Sequence, residues 1–330
     1  VREGGLLRRT RWFYFLVFGL LCVGLAGAAV GFVLLRDSWF QLLIAGALGL
    51  LLTQVAFLSH ETAHRQVFAS GRTNDRAGRI LGPLVVGMSY SWWMTKHTRH
   101  HANPNRVGKD PDIAPGVISY RSQDARAQRG LLRAINRRQG YLFFPMLLLE
   151  GVNLHVTSIR SLFARRRIQG RWWELSLIAL RFVVLFGLLF TLLPPGLACA
   201  FLGVQLAVFG LYMGASFAPN HKGMPTIEAD EKLDFFSKQV RTSRNIRGRF
   251  WASALMGGLN FQVEHHLFPS MPRPHLARAR AIVREHCHSI GVPYTETNLF
   301  QSYAIVIGYL NRVGLAARDP FECPLLAARR

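Results

Sequence analysis

The sequence predicts an all-α integral membrane protein, with four transmembrane helices in two hairpins and a helical cytoplasmic cap that holds a dimetal site. Three observations predict it. Half of the 330 residues are hydrophobic, and they gather in blocks of about 18 or more rather than at helical or strand spacing, which is the mark of bilayer-spanning helices. The 40 Lys and Arg against 18 Asp and Glu are confined to a few segments that a two-hairpin topology places on one side. Most of the 12 histidines cluster at or just beyond the ends of the apolar blocks on that same side.

The first span, Trp12–Leu35, has no charge between Arg11 and Arg36. It is too long for a secretory signal core, and no A-x-A-like cleavage site follows it. The second, Trp39–Leu58, starts after Arg36-Asp37-Ser38. The third and fourth, Leu175–Leu193 and Gly196–Ala218, are separated by Pro194-Pro195, a pair that ends one helix and starts the next. The connections around Asp37 and Pro194 contain Arg36 as their sole basic residue. The basic residues fall instead in the N-terminus, the 59–174 loop and the 219–330 tail. The positive-inside rule therefore places both termini, the cap and the active layer in the cytoplasm.

The net charge of +22 is then topological. It holds the cap against anionic lipid and does not point to nucleic acid. Arg181, about two turns inside the third span, reads as a side chain snorkelling to the interface. Ile80–Met94, interrupted by Gly82, Pro83 and Gly87, and Tyr141–Val156, with Pro145, Glu150 and His155, read as interfacial or re-entrant helices. The Arg-rich runs Arg126–Arg138 and Arg160–Arg171 face headgroups. Cys22, Cys199, Cys287 and Cys323 form no C-x-x-C pair, which argues against disulfides, a zinc ribbon or an iron–sulfur centre. The whole chain, 1–330, reads as one membrane domain.

Three histidine clusters carry the chemistry: "HETAH" with His60 and His64, "HTRHH" with His97, His100 and His101, and "QVEHH" with His265 and His266; "APNHKG" adds His221. His60 follows the second span by two residues and His221 follows the fourth by three, so the helix ends deliver imidazoles to one layer under the membrane surface. H-E-x-x-H alone suggests a zinc metalloprotease. A catalytic zinc takes three protein ligands, which leaves five clustered histidines unexplained. Two metals with four or five nitrogens each use all eight, and imidazole-rich sites with open positions suit iron, zinc or copper.

"HETAH", "HTRHH" and "QVEHHLFP", together with "NPNRVGKDPD" and "GGLNFQVEHHLFPSMPR", resemble the three histidine boxes of the membrane fatty-acid desaturases, over most of the chain from the second span to about Tyr294. Gln262, where many relatives have the first His of H-x-x-H-H, is similar to the front-end branch of that family. The resemblance implies four spans, a cytoplasmic cap, two non-haem irons, and O2-dependent removal of two hydrogens from an acyl chain. It implies His60, His64, His97, His100, His101, His265 and His266 as iron ligands, with His221 as the extra histidine after the last span. Gln262 falls at a position that is a ligand in some relatives and binds directly or through water.

Glu61, Glu264, Asp110, Asn220 and Asn260 are candidates to support the ligands from behind, and Asp112 to orient the loop. Trp92, Trp93, Phe261 and Phe268 are candidates to line an acyl tunnel. His155, His275, His286 and His288 read as structural. Arg241, Arg244 and Arg247, three apart, suggest one helix face for a phosphate or lipid headgroup. The acyl carrier is open: CoA, acyl-carrier protein or intact lipid. The string His-Pro-Gly-Gly of a fused haem domain is absent, and neither end has room for that domain. A separate ferredoxin or cytochrome b5-type donor with its reductase is therefore expected, and no bound haem or flavin. A hydroxylase, ketolase or other lipid oxygenase uses the same scaffold and motifs, and an intramembrane zinc metalloprotease is the remote alternative.

Overall fold

The computed structural model describes residues 1–165 and 167–317; Arg166 and the expected end of the cap from 318, including Cys323, lie outside the described residues. Four helices are long and apolar enough to cross a membrane: α1 (Arg11–Leu35), α2 (Gln41–Ala63), α9 (Arg171–Leu192) and α10 (Pro195–His221). They leave large apolar side chains such as Trp12, Leu20, Val33, Leu43, Val183 and Phe186 exposed, a surface that calls for an apolar environment. Pro195 stands in the first turn of α10, where its missing N–H removes no helical bond.

α2 runs past Leu58 to Ala63 and α10 runs to His221, so His60 and His221 belong to the helices rather than to loops after them. Hydropathy marks where the apolar residues stop. The backbone bonding continues through Ser59, His60, Glu61 and Thr62, all of which are buried.

α2 packs on α1 and α10. At Gly49 the approach to α10 is so close that a Cβ would meet the Gln205 carbonyl at 2.8 Å. α8 (Glu150–Leu162) lies against α10 even more tightly: a Cβ on Gly210 would meet the Gly151 backbone nitrogen at 2.2 Å. Only paired glycines let two backbones touch in this way. Tyr14, Leu52, Phe57, Leu58, Trp92, Phe209 and Met213 form the apolar cluster under the cap.

The cap begins with α3 (Gly71–Ile80), capped by Ser70, whose hydroxyl accepts from the Thr73 N–H. A π-helical turn, Leu81–Val86, follows and closes on Gly87 at φ 93°. α4 (Tyr90–Ala102) then starts from an N-cap at Ser89. The stretch expected as an interfacial or re-entrant helix over 80–94 is thus broken, because Pro83 lacks a donor and Gly87 turns left-handed. Buried Glu174 of α9 clamps the break, accepting from Arg79 Nη1 at 2.5 Å and from the Ser89 and Ser91 hydroxyls at 2.6 Å.

α5 (Ser122–Ala127), α6 (Gly130–Asn136) and α7 (Gln139–Leu147) lead into α8, and α7 and α8 meet at 72°. That bend divides the expected Tyr141–Val156 stretch. After α10 come α11 (Phe235–Arg241), a two-residue strand β1 (Asn245–Ile246), α12 (Phe250–Leu255), α13 (Gln262–Leu267) and α14 (Arg273–Ser289). β2 (Glu296–Thr297) pairs parallel with β1, and α15 (Leu299–Leu315) closes the cap against α7.

Candidate metal centre

Four elements deliver the eight histidines. α2 carries His60 and ends at His64, α4 carries His97, His100 and His101, α10 ends on His221, and α13 carries His265 and His266. The rings sort into two groups, His60, His64, His97, His101 and His265 in one and His100, His221 and His266 in the other. Within each group, one ring nitrogen per residue lies within 4.8 Å of all the others. The i, i+4 spacing puts His97 and His101 on one face of α4, and His100 points to the second group. Closest are the Nε2 atoms of His64 and His97 at 2.7 Å, His60 and His97 at 2.9 Å, and His100 and His221 at 3.3 Å. The rings of His101 and His266 stack across the boundary with centroids 4.2 Å apart.

Several nitrogens in this cluster have no hydrogen-bond partner among the described residues: His60 Nδ1, both nitrogens of His101, and Nε2 of His265 and His266. Buried polar atoms are seldom left so. Burial pushes the His64 imidazole down to about 3. It drives His97, His101, His265 and His266 well below their usual range too, with the neighbouring imidazoles adding to it. Crowded and desolvated, these rings stay neutral with free lone pairs, which is the state a metal needs.

The back sides of the second group are bonded. His100 Nδ1 meets Asp110 at 3.0 and 3.1 Å, His221 Nδ1 donates to the Thr242 carbonyl at 2.9 Å, and His266 Nδ1 donates to Gln239 Oε1 at 2.9 Å. Each bond fixes a tautomer with the Nε2 lone pair facing inward. Asp110 also accepts from the Asn105 and Asp112 backbone N–H groups at 2.7 and 2.9 Å. Burial raises its pKa, but the hydrogen bond from His100 outweighs that and holds the carboxyl below its usual value. Asp112 pairs with Lys96 at 2.7 Å and lies 3.4 Å from His100 Nδ1.

The other expected supports behave differently. Glu61 meets no imidazole; it forms a bidentate pair with Arg273 at 2.6 and 2.7 Å. Glu264 accepts from Asn245 at 2.7 Å and from the Tyr294 hydroxyl at 2.8 Å. Asn220 Nδ2 donates to Gln262 Oε1 at 3.1 Å, and Gln262 Nε2 reaches His221 Nε2 at 2.9 Å. Asn260 is fully buried, and neither amide atom has a hydrogen-bond partner among the described residues.

Arg241, Arg244 and Arg247 do not share a helix face. α11 ends at Arg241, and Arg244 turns inward. Arg244 donates to the carbonyls of Pro219 and Lys222 and to the Ser302 hydroxyl. Carbonyls at the end of α10 lack helical donors, and a buried guanidinium satisfies them. It thereby fixes the turn that presents His221.

A narrow apolar cleft with only about 20 Å³ of open volume reaches the first group, touching His60 and Trp93 among walls from α2, α10 and the π-turn. Trp93 stacks on His97, with centroids 4.8 Å apart at 18°. Of the four aromatic candidates, Trp93 alone lines this cleft. Trp92 packs in the cluster below the cap, and Phe261 and Phe268 pack beside α14.

Gln239, Thr242 and Arg273 were not singled out by sequence, and Arg244 was singled out only as part of a headgroup-binding helix face. Each acts on a residue distant in the chain, 212 positions away for Arg273 and Glu61, and no local spacing signals that.

Comparison with known proteins agrees with this geometry. The family model described as fatty acid desaturase matches residues 37–298. A delta-8 fatty-acid desaturase of Helianthus annuus is 30% identical over 89% of this chain and 67% of its own length. A second delta-8 enzyme, from Arabidopsis thaliana, is 29% identical over 92% of the chain and 71% of its own. A delta-6 fatty-acid desaturase of Caenorhabditis elegans is 27% identical over 95% and 73%. With the match running through every histidine cluster, this chain belongs to the fatty acid desaturase family, membrane oxidoreductases of lipid metabolism.

Proposed function

We propose that this chain is an O2-dependent fatty-acyl desaturase that introduces a double bond into a long acyl chain at a non-haem di-iron centre. The observation that carries the proposal is the division of eight imidazoles into groups of five and three, back to back across His101 and His266. The donor set fits iron: buried neutral imidazoles, orphaned ring nitrogens, and no carboxylate in the five-histidine group. His60, His64, His97, His101 and His265 would hold one iron, and His100, His221 and His266 the other, with Gln262 beside it as a ligand or a partner for bound water. Iron there supplies the O2 activation that an unactivated C–H bond requires, since no side chain is basic enough to take its proton.

The chain's own residues do the rest. Asp110, the Thr242 carbonyl and Gln239 hold three imidazoles in the ligating tautomer. Asn220 orients Gln262, and Asn260 has an unpaired amide with which to hold a water beside it. Trp93 fixes the His97 ring and forms a wall of the cleft, which excludes water and accepts hydrocarbon. The delta-8 and delta-6 names of the relatives support a fatty-acyl substrate, presented on CoA, acyl-carrier protein or a lipid.

α1 with α2 and α9 with α10 form two hairpins across the membrane, with both termini and the cap on the cytoplasmic side. The basic cap supports this, together with exposed apolar faces on the four helices. Two electrons per turnover come from a ferredoxin or cytochrome b5-type carrier with its reductase, and the basic surface suits an acidic carrier. The test is expression in a host lacking the activity, with fatty-acid profiling that locates double bonds. A new double bond without added oxygen is expected; a hydroxylated or ketonic product refutes the reading in favour of another lipid oxygenase.

A further inference from the structure

The cleft has a built-in end. Its walls repeat by the helical turn, with Ala56 and His60 on α2 facing Met213 and Phe217 on α10. The histidine end is marked by His60 and Trp93. One turn further along the same faces come Leu52 and Phe209, and neither lines the cleft. Both fill the apolar cluster instead, Leu52 at 2% exposure and Phe209 at 0%. No Asp, Glu, Lys or Arg lines the cleft, so what it accepts past the histidines is bare hydrocarbon.

Phe209 is also held from behind. The His155 ring lies 5.5 Å from it, centroid to centroid. His155 is pinned in turn, with Nδ1 2.6 Å from the Gly151 carbonyl and Nε2 3.1 Å from the Val86 carbonyl. Val86 is a cleft wall, and Gly151 is where α8 meets the backbone of α10. A Phe fixed in this way cannot swing aside for a longer chain.

We infer that Phe209, backed by His155, is the stop that sets how many carbons of the acyl chain pass beyond the histidine groups, with Met213 as the floor of the cleft in front of it. The inference rests on the acyl-desaturase reading. It makes Phe209 a specificity-determining residue that backs Met213 at the chain's methyl end, and it gives His155 the work of bracing it.

The experiment uses the full chain in membranes, supplied with a competing series of saturated acyl chains of graded length. Phe209→Ala lengthens the cleft by about one helical turn, ~5.4 Å, which moves the preferred length up by about four carbons. Met213→Phe fills the floor and moves it down. Phe201→Ala is the control: it removes the same ring from α10, in the separate apolar cluster with Leu197 and Leu189, and leaves the length profile unchanged. The same series is run as a binding competition against a fluorescent fatty acid, which needs no turnover. A binding profile that shifts while no double bond forms supports the stop and sinks the desaturase reading. Profiles in which Phe209→Ala matches Phe201→Ala, and Met213→Phe weakens every length equally, overturn the stop.

Discussion

The bidentate pair between Glu61 and Arg273 joins the first histidine cluster to the helix that follows the last one. Both residues are buried, Glu61 at 1% and Arg273 at 6% exposure, and two bonds of 2.6 and 2.7 Å connect them. Removing one partner of such a pair leaves the other as an uncompensated buried charge, at a cost of about 3–5 kcal/mol. Glu61→Met and Arg273→Met should each destabilise by about that much. At roughly 2.1 cal/mol/K of unfolding entropy per residue, a chain of this length loses about 4–7 °C in Tm. Replacing both residues restores an apolar pair of similar volume, so Glu61→Met/Arg273→Met should recover most of the loss. The assay is thermal unfolding of the purified protein in one detergent, with metal content measured on the same samples. If Glu61 were instead a water-activating base of an H-E-x-x-H protease, Glu61→Met would keep its Tm and lose activity, and Arg273→Met would not rescue it. That outcome refutes the structural account of Glu61.

Asp110→Asn keeps the shape of the side chain but turns an amide N–H toward backbone donors that now meet carboxylate oxygen. Metal affinity of the three-histidine group should fall about 10–100-fold, read by metal titration, with the five-histidine group unaffected. Acid should destabilise the metal-free protein. The imidazoles are depressed in the fold, as His64 is from 6.5 to about 3, so between those values the unfolded chain binds protons that the folded chain refuses. Stability is then full above about pH 6.5 and lost as pH falls toward 3; flat chemical-denaturation midpoints from pH 7 to 4 would contradict this. Gly151→Leu forces α8 off the α10 backbone and should cost more than the about 1–3 kcal/mol usual for overpacking, seen as a drop in Tm and in membrane yield.

The architecture was legible in proportion to how local its signal is. Apolar length located all four long helices, and Pro194-Pro195 marked the turn between two of them. It missed where α2 and α10 end, because hydropathy ends at Leu58 and Ala218 and hydrogen bonding does not. The break at Gly87 was present in sequence as Gly82, Pro83 and Gly87, yet what holds it, Glu174, lies 85 positions from Ser89. Histidine clustering located the two imidazole groups, since eight histidines in four short strings are dense information. The roles behind them were less legible. Asp110 reaches His100 from ten positions away, within one loop, whereas Gln239 and Arg273 are ordinary polar residues until the fold brings them to His266 and Glu61. The tunnel aromatics show the same limit: adjacency to a cluster picked four, and packing directs Trp92, Phe261 and Phe268 elsewhere.

Gln262 tests the unequal division of ligands. Asn220 donates to its oxygen, which turns the amide nitrogen to His221 Nε2 at 2.9 Å. A metal held by His221 would take the acceptor of that N–H, and Gln262 would then hold the metal or a water beside it. Both routes add a polar partner to the group that has only three imidazoles, and neither touches the group that has five. Gln262→Leu removes the amide at similar volume and leaves Asn220 Nδ2 with the Ser216 carbonyl as its acceptor. Metal stoichiometry should therefore fall from two toward one per chain at limiting metal, with affinity at the weaker site reduced by about tenfold or more. Equal loss from both sites, or none from either, would show that Gln262 supports the fold and not the three-histidine metal.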